Sequence, residues 1–239
     1  MISFTPGYFG WLGNQMFQYA ATFASSKRLG VDCGFPENTP NLYDIFNISS
    51  TKVTSIQKQI YIEPHFHYAS IPKQDCISLQ GYFQSEKYFI DYKEDIKREF
   101  SLKNPKYPDK LDQEYIGLHV RRGDYLNYPD IHPTCSLEYY QKALEMLPSK
   151  PVKIFTDDPE WCRQSFTGDR FEVSDKHFIE DFELLTKCSY HIIANSSFSW
   201  WGAWLNDNPH KKVIAPKVWF GKDKPLNPKD IYCKDWIKL

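Results

Sequence analysis

Between residues 115 and 215, short runs rich in β-branched residues alternate with stretches of helical periodicity, and this alternation constrains the fold more than any other feature. Residues 115–120 read as a buried strand, and Ser136 caps a helix running to Leu147. Residues 152–156 read as a strand, 180–188 as a helix, 191–194 as a strand and 198–205 as a helix, with a last strand at 212–215 before an irregular tail. Strands separated by helices imply a parallel sheet, whose ligands meet the loops at the carboxyl ends of the strands.

The first half is less regular. Residues 2–4 form a short apolar start, followed by the loop Pro6-Gly7-Tyr8-Phe9-Gly10-Trp11-Leu12-Gly13-Asn14. A helix is expected over 15–29, with Gly30 as its stop. Strand, glycine loop and helix open a Rossmann-like unit, a pattern shared by many α/β domains. Pro36, Pro40, Pro64 and Pro72 punctuate the segment that follows, within which 53–62 alternates as a strand does. Residues 78–84 read as a strand ending in a loop, and 88–100 as a helix. Pro105 and Pro108 stand among charged residues in 103–112, the expected linker, giving domains over 1–110 and 111–239.

Composition narrows the function. The 29 Lys and Arg nearly balance 30 Asp and Glu, whereas a protein neutralising DNA or RNA phosphates usually carries a basic excess, so nucleic acid is not an expected partner. Aromatic residues reach 17 %, a surplus that suits sugar faces but also an ordinary core. The cysteines Cys33, Cys76, Cys135, Cys162, Cys188 and Cys233 are scattered without a Cys-x-x-Cys pair, which points to free buried thiols in a reducing compartment. Nothing reads as a secretion leader or as an apolar run of membrane-spanning length. The chain is therefore expected to be cytoplasmic, without a transmembrane segment and at most peripherally associated with a membrane, and the sequons at Asn47 and Asn195 are read as chance.

Three loops of the expected parallel sheet carry ligand chemistry. After Val120 come Arg121-Arg122-Gly123-Asp124, after Thr156 come Asp157-Asp158-Pro159, and after Asn195 come Ser196-Ser197-Phe198-Ser199 at a helix start. A guanidinium is permanently charged and forked, so two of them where a strand opens into a glycine turn suit a diphosphate. Free N–H groups and serine hydroxyls at a helix start suit an anion as well. The tripeptide Arg122-Gly123-Asp124 also spells an integrin-binding motif, but it directly follows a buried strand.

The chain resembles the alpha-1,2-fucosyltransferases of glycosyltransferase family 11. The resemblance rests on Leu12-Gly13-Asn14-Gln15-Met16-Phe17-Gln18-Tyr19-Ala20, on His119-Val120-Arg121-Arg122-Gly123-Asp124-Tyr125 and on Phe155-Thr156-Asp157-Asp158-Pro159. It extends to Ile193-Ala194-Asn195-Ser196-Ser197-Phe198-Ser199-Trp200-Trp201-Gly202-Ala203-Trp204-Leu205, and the motifs span most of the chain in the family's order. It implies an α/β fold of GT-B type, with two Rossmann-like domains facing across a cleft and a parallel sheet in the C-terminal, donor-binding domain. The implied reaction is inverting transfer of L-fucose from GDP-beta-L-fucose to a glycan, with O2 of a terminal beta-galactoside as the expected acceptor. Two other readings stand beside it: a related GDP-sugar transferase of another sugar or linkage, and a non-catalytic sugar-nucleotide-binding protein.

The resemblance also assigns roles. Arg121 contacts the diphosphate, with Arg122 bracing the loop or the donor; the alternative for Arg121 is a structural ion pair to Asp124 or Asp157. His119 contacts the nucleotide, or else is a core histidine. Asp181 reads the guanine edge with two parallel acceptor bonds, or serves as a helix N-terminal charge. Asp157 contacts the nucleoside, while Asp158 before Pro159 shapes the turn. Ser196, Ser197 and Phe198 form the third nucleotide loop, whereas Trp200, Trp201 and Trp204 pack their helix. Asn14 and Gln15 hydrogen-bond fucose or the acceptor, or merely cap a helix. Asp124 is the nearest candidate base in sequence, with pinning of the arginine loop as the alternative. No Asp-x-Asp motif is present, so neither a metal nor another cofactor is expected, and the arginines take the place of a divalent ion. The family usually has paired glycines before Leu-Gly-Asn-Gln, but here Trp11 follows Gly10, so the acceptor is expected to differ from the commoner ones.

Overall fold

The computed structural model describes residues 1–5, 10–39, 42–55 and 57–239; the loop reading over 6–9 and the readings touching 40, 41 and 56 lie outside the described residues. The chain divides into two compact units, Met1–Asn104 with Leu226–Cys233, and Pro105–Pro225 with Lys234–Leu239. No shift in composition announces that 226–233 return to the first unit. There Asp230 accepts from the Tyr68 N–H at 3.1 Å and from Lys87 Nζ at 2.7 Å.

The first unit is built on strands β1 (Ile2–Phe4), β2 (Cys33–Pro36), β3 (Thr51–Val53), β4 (Gln59–Ile62) and β5 (Ile77–Gln80), with helices α1 (Leu12–Leu29), α2 (Leu42–Ile45) and α3 (Lys93–Glu99). All pairings are parallel, in the order β3-β2-β1-β5-β4. Helix α1 starts three residues before the expected position. It ends as expected at Gly30, whose φ of 64° is a left-handed conformation that favours glycine. The expected strand over 53–62 is instead two short strands at opposite edges of the sheet, each paired along one side only, so the apparent alternation spans two elements. The expected helix over 88–100 is α-helical only from Lys93. Before it lie two 3-10 turns, broken at Phe89 (φ −142°, ψ 3°), whose ring is fully buried.

The second unit holds β6 (Ile116–Val120), β7 (Val152–Thr156), β8 (Phe171–Val173), β9 (Tyr190–Ile192), β10 (Lys212–Ala215) and β11 (Ile237–Lys238). Around them lie α4 (Leu137–Glu145), α5 (Pro159–Ser165), α6 (Phe178–Lys187) and α7 (Ser197–Leu205). Every pairing is again parallel, in the order β11-β10-β9-β6-β7-β8. Two elements were not expected, α5 and β8, and the tail is not wholly irregular because β11 extends the sheet beside β10.

All five residues of β6 are buried, which a parallel strand covered on both faces requires. Ile116, Leu118 and Val120 join Tyr139, Tyr140, Ala143 and Leu144 in one apolar layer. On the opposite face, a Cβ on Gly117 would meet Leu185 Cδ1 at 2.8 Å, so α6 closes directly on the strand. Phe155, Leu184, Leu185 and Cys188 fill that second layer. Ser136 caps α4 by accepting from the Tyr139 N–H at 3.2 Å, a bond of the kind that contributes about 1 kcal/mol. Trp200 and Trp201 are fully buried and Trp204 nearly so, and Trp200 also packs against Trp236, so the α7 tryptophans are core. The cysteines are free, but Cys76 is exposed and only Cys162 and Cys188 are fully buried, which corrects the expectation of uniformly buried thiols.

Candidate active site

The strand order of the second unit reverses between β6 and β9: β7 and β8 extend to one side of β6, while β10 and β11 lie beyond β9. In open parallel sheets the crevice outside such a switch point is where ligands bind. The two loops that leave it are Arg121-Arg122-Gly123-Asp124 after β6 and Asn195-Ser196-Ser197 before α7. The Asp157-Asp158 loop after β7 is the next one over, so the structure brings all three predicted loops to one edge of one sheet.

The two arginines diverge as they leave β6. The Arg121 guanidinium lies 2.5 Å from Asp124 Oδ1 and 2.8 Å from Asp157 Oδ2, with its central carbon 5.3 Å from the Tyr125 ring centre. Both ion pairs considered for Arg121 are therefore formed. Arg122 turns toward α5, where its Nε donates to Asp158 Oδ2 at 2.9 Å and its guanidinium covers the Trp161 ring at 4.2 Å. That bond holds the Asp158 carboxyl below the usual carboxylate range. Asp158 Oδ1 also caps α5 by accepting from the Trp161 N–H at 3.2 Å, and Pro159 begins the helix.

Asp157 accepts from the Arg122 backbone N–H at 2.8 Å with Oδ1 while Oδ2 meets Arg121. A Cβ on Gly123 would lie 2.6 Å from that Oδ2, so glycine is what allows the carboxylate so close to the turn.

His119 shares the β6 face with Gly117 and is buried, its ring centre 5.4 Å from that of Phe198. Burial pushes its pKa down to about 3, Asp157 opposing and Arg121 reinforcing the shift, so the ring is neutral. Its buried Nδ1 has no hydrogen-bond partner among the described residues, a cost that a polar ligand atom would relieve. Phe198 continues the row to Phe182 at 5.3 Å, which places the first turn of α6 beside the α7 start.

Asp181 lies in that first turn, buried, and accepts from Ser174 Oγ at 2.5 Å just after β8. Desolvation raises its pKa to about 6, with the Ser174 bond and Lys176 pulling the other way. A buried carboxylate whose pKa is raised in this way marks a candidate functional group. At the start of α7, Ser196 is the N-cap residue but its side chain makes no capping bond. Asn195 ties the edge together: Nδ2 donates to Pro133 O at 2.9 Å and Trp219 O at 3.1 Å, and its carbonyl accepts from Tyr125 Oη at 3.1 Å.

Asn14 and Gln15 belong to the first unit, within the first turn of α1; the N-cap is Trp11, so neither caps the helix. Asn14 Oδ1 accepts from Gln84 Nε2 at 2.7 Å and Gln15 Nε2 donates to Gly10 O at 2.9 Å. Trp11 itself is 76 % exposed. Sequence reasoning missed Ser174, His132 and Lys224. Ser174 follows a three-residue strand too short to read, and Lys224 lies in irregular chain. His132, on the loop that stacks against Tyr125 at 4.9 Å, carries no local signal. Among the described residues no three His, Cys, Asp or Glu side chains converge as a metal site requires, and no helix is long and apolar enough to cross a membrane.

Comparison with known proteins gives the arrangement a family. An Escherichia coli alpha-1,2-colitosyltransferase is 33 % identical, the match covering 96 % of each chain. The galactoside alpha-(1,2)-fucosyltransferase 2 of Rattus norvegicus is 27 % identical over 94 % of this chain and 78 % of its own. Among solved structures, the NodZ alpha-1,6-fucosyltransferase soaked with GDP-fucose superposes with a TM-score of 0.54 at 14 % identity, covering 85 % of this chain and 92 % of that one. The fold of the two Rossmann-like units is thus GT-B-like. The model of glycosyl transferase family 11 matches residues 2–239, and the chain belongs to that family.

Proposed function

We propose that this protein transfers L-fucose from GDP-beta-L-fucose, with inversion, to O2 of a terminal beta-galactoside in a glycan. The observation that carries the reading is the switch-point edge, where Arg121, His119, Asp181 and the α7 start lie along the carboxyl ends of one parallel sheet. In this reading the guanine edge meets Asp181 and the diphosphate meets Arg121 and the start of α7. As the glycosidic bond breaks, the anomeric carbon becomes oxocarbenium-like and negative charge grows on the diphosphate. A fixed guanidinium there stabilises the transition state more than the ground state.

Asp157 braces Arg121 and the arginine loop, and lies within reach of the nucleoside in this reading. Arg122, committed to Asp158 and Trp161, shapes the loop. Ser196, Ser197 and Phe198 line the nucleotide. Asp124 now pairs with Arg121; a diphosphate that takes Arg121 frees this half-exposed carboxylate to accept the acceptor's hydroxyl proton. Asn14 and Gln15 serve the fucose or acceptor side, and Trp11 bears on acceptor choice.

A second reading, colitosyl transfer, is favoured by the 33 % identical relative, since colitose differs from fucose in lacking the 3-hydroxyl. Turnover of GDP-fucose, GDP-colitose and GDP-mannose on an array of galactosides, with linkage analysis of the product, separates the readings. Fucosylation at O2 supports the proposal, and preference for GDP-colitose supports the second. Tight GDP binding without transfer from any donor would mark a non-catalytic sugar-nucleotide-binding protein.

A further inference from the structure

The segment after β10 folds back onto the loop that follows the arginines. The Gly221 N–H donates to Ile131 O at 3.0 Å and the Asp223 N–H to Asp130 O at 2.9 Å. A Cβ on Gly221 would lie 2.2 Å from Asp130 O, so the approach requires glycine. The contact delivers Lys224 to His132: Nζ lies 3.4 Å from His132 Nε2 and 5.1 Å from the Phe220 ring centre. His132 stacks on Tyr125 at 4.9 Å, and the Tyr125 ring lies 5.3 Å from the Arg121 guanidinium, so a row of packed groups runs from Arg121 to Lys224.

The charges along this row are unequal. Arg121 is shared by Asp124 and Asp157, and Arg122 is held by Asp158, so a diphosphate approaching either competes with carboxylates already in place. Lys224 is half-buried, and among the described residues no carboxylate lies within ion-pair distance of it. Burial lowers its pKa, and the partly desolvated ammonium lacks the anion that would offset the cost.

We propose that Lys224, held on His132 at the other end of the row that begins at Arg121, is a second cation for the donor's diphosphate, supplied by the chain after β10. The proposal rests on the reading that this edge takes a nucleoside diphosphate. Its test is titration of wild type, Lys224→Met, Lys224→Arg and Arg121→Ala with GDP and with guanosine, the fold of each variant being checked by thermal melting. Lys224→Met is expected to weaken GDP about tenfold or more, as loss of a charge-assisted contact does, with guanosine unchanged and Lys224→Arg recovering most of the loss. Unchanged GDP affinity in Lys224→Met beside a weakened Arg121→Ala would overturn the role of Lys224 and leave the reading of the edge intact. Equal weakening of GDP and guanosine would show that Lys224 acts through the fold, which also overturns its role. If neither substitution weakens GDP, the reading of the edge fails and the proposal with it.

Discussion

Asp181 offers a pH test whose size follows from its surroundings. Its pKa is raised from 3.8 to about 6 in the folded protein, chiefly by desolvation, with Ser174 and Lys176 opposing and Glu180 and Asp175 reinforcing the shift. Below pH 3.8 the carboxyl is protonated in both folded and unfolded chains and contributes no difference. As pH rises from there toward 6, the unfolded chain gives up its proton first, so stability falls, by about 3 kcal/mol once both states are ionised. Asp181→Asn removes this penalty, and its stability relative to wild type should grow across that window.

The same group sets ligand affinity if it reads guanine, because only the carboxylate can accept two N–H bonds. With a midpoint near 6, roughly one-tenth of the free protein is competent at pH 5 and nine-tenths at pH 7, so guanosine should bind about tenfold more weakly at pH 5. Guanosine is the right probe because it has no phosphate that titrates in this range. Ser174→Ala, which removes a hydrogen bond to the anion, should move the midpoint upward. A guanosine dissociation constant that stays flat from pH 5 to 7, or an equal slope in Asp181→Asn, would refute the assignment.

Other outcomes follow from single contacts. Gly123→Ala places a methyl 2.6 Å from Asp157 Oδ2, displacing a carboxylate that bonds the Arg122 N–H and Arg121. It should cost about 1–3 kcal/mol of stability and weaken GDP, as melting and titration will show. Transfer should survive EDTA, since in the proposed reading the Arg121 guanidinium offsets the diphosphate charge without a divalent ion; loss on chelation restored by magnesium or manganese would contradict this. Trp11→Gly removes a ring that is 76 % exposed, and should change the acceptor KM while leaving GDP affinity unchanged.

The sequence showed the frame of the second unit more clearly than that of the first. Strand β6 is buried throughout because both of its faces are covered, and β7 buries Val152, Ile154 and Phe155, so their apolar residues are dense and the pattern is local. The edge strands β3 and β4 bury little, so their pattern merged into one apparent strand across 53–62. Helix α5 carries a local signal, Asp158 before Pro159, but that pair marks a turn and a helix start alike. Motif positions located the edge, but partner choice depends on geometry that no spacing encodes. The sequence offers Asp124 and Asp157 as alternative partners of Arg121 but does not say that both engage it at once, that Ser174 meets Asp181, or that Gly221 brings Lys224 against His132.

The most direct test is a crystal structure of the protein with GDP. Guanine N–H groups are expected on the Asp181 carboxylate and diphosphate oxygens within hydrogen-bond distance of Arg121, with Asp124 released from that guanidinium. GDP bound away from the carboxyl ends of β6 and β9, or with its diphosphate turned from Arg121, would contradict this.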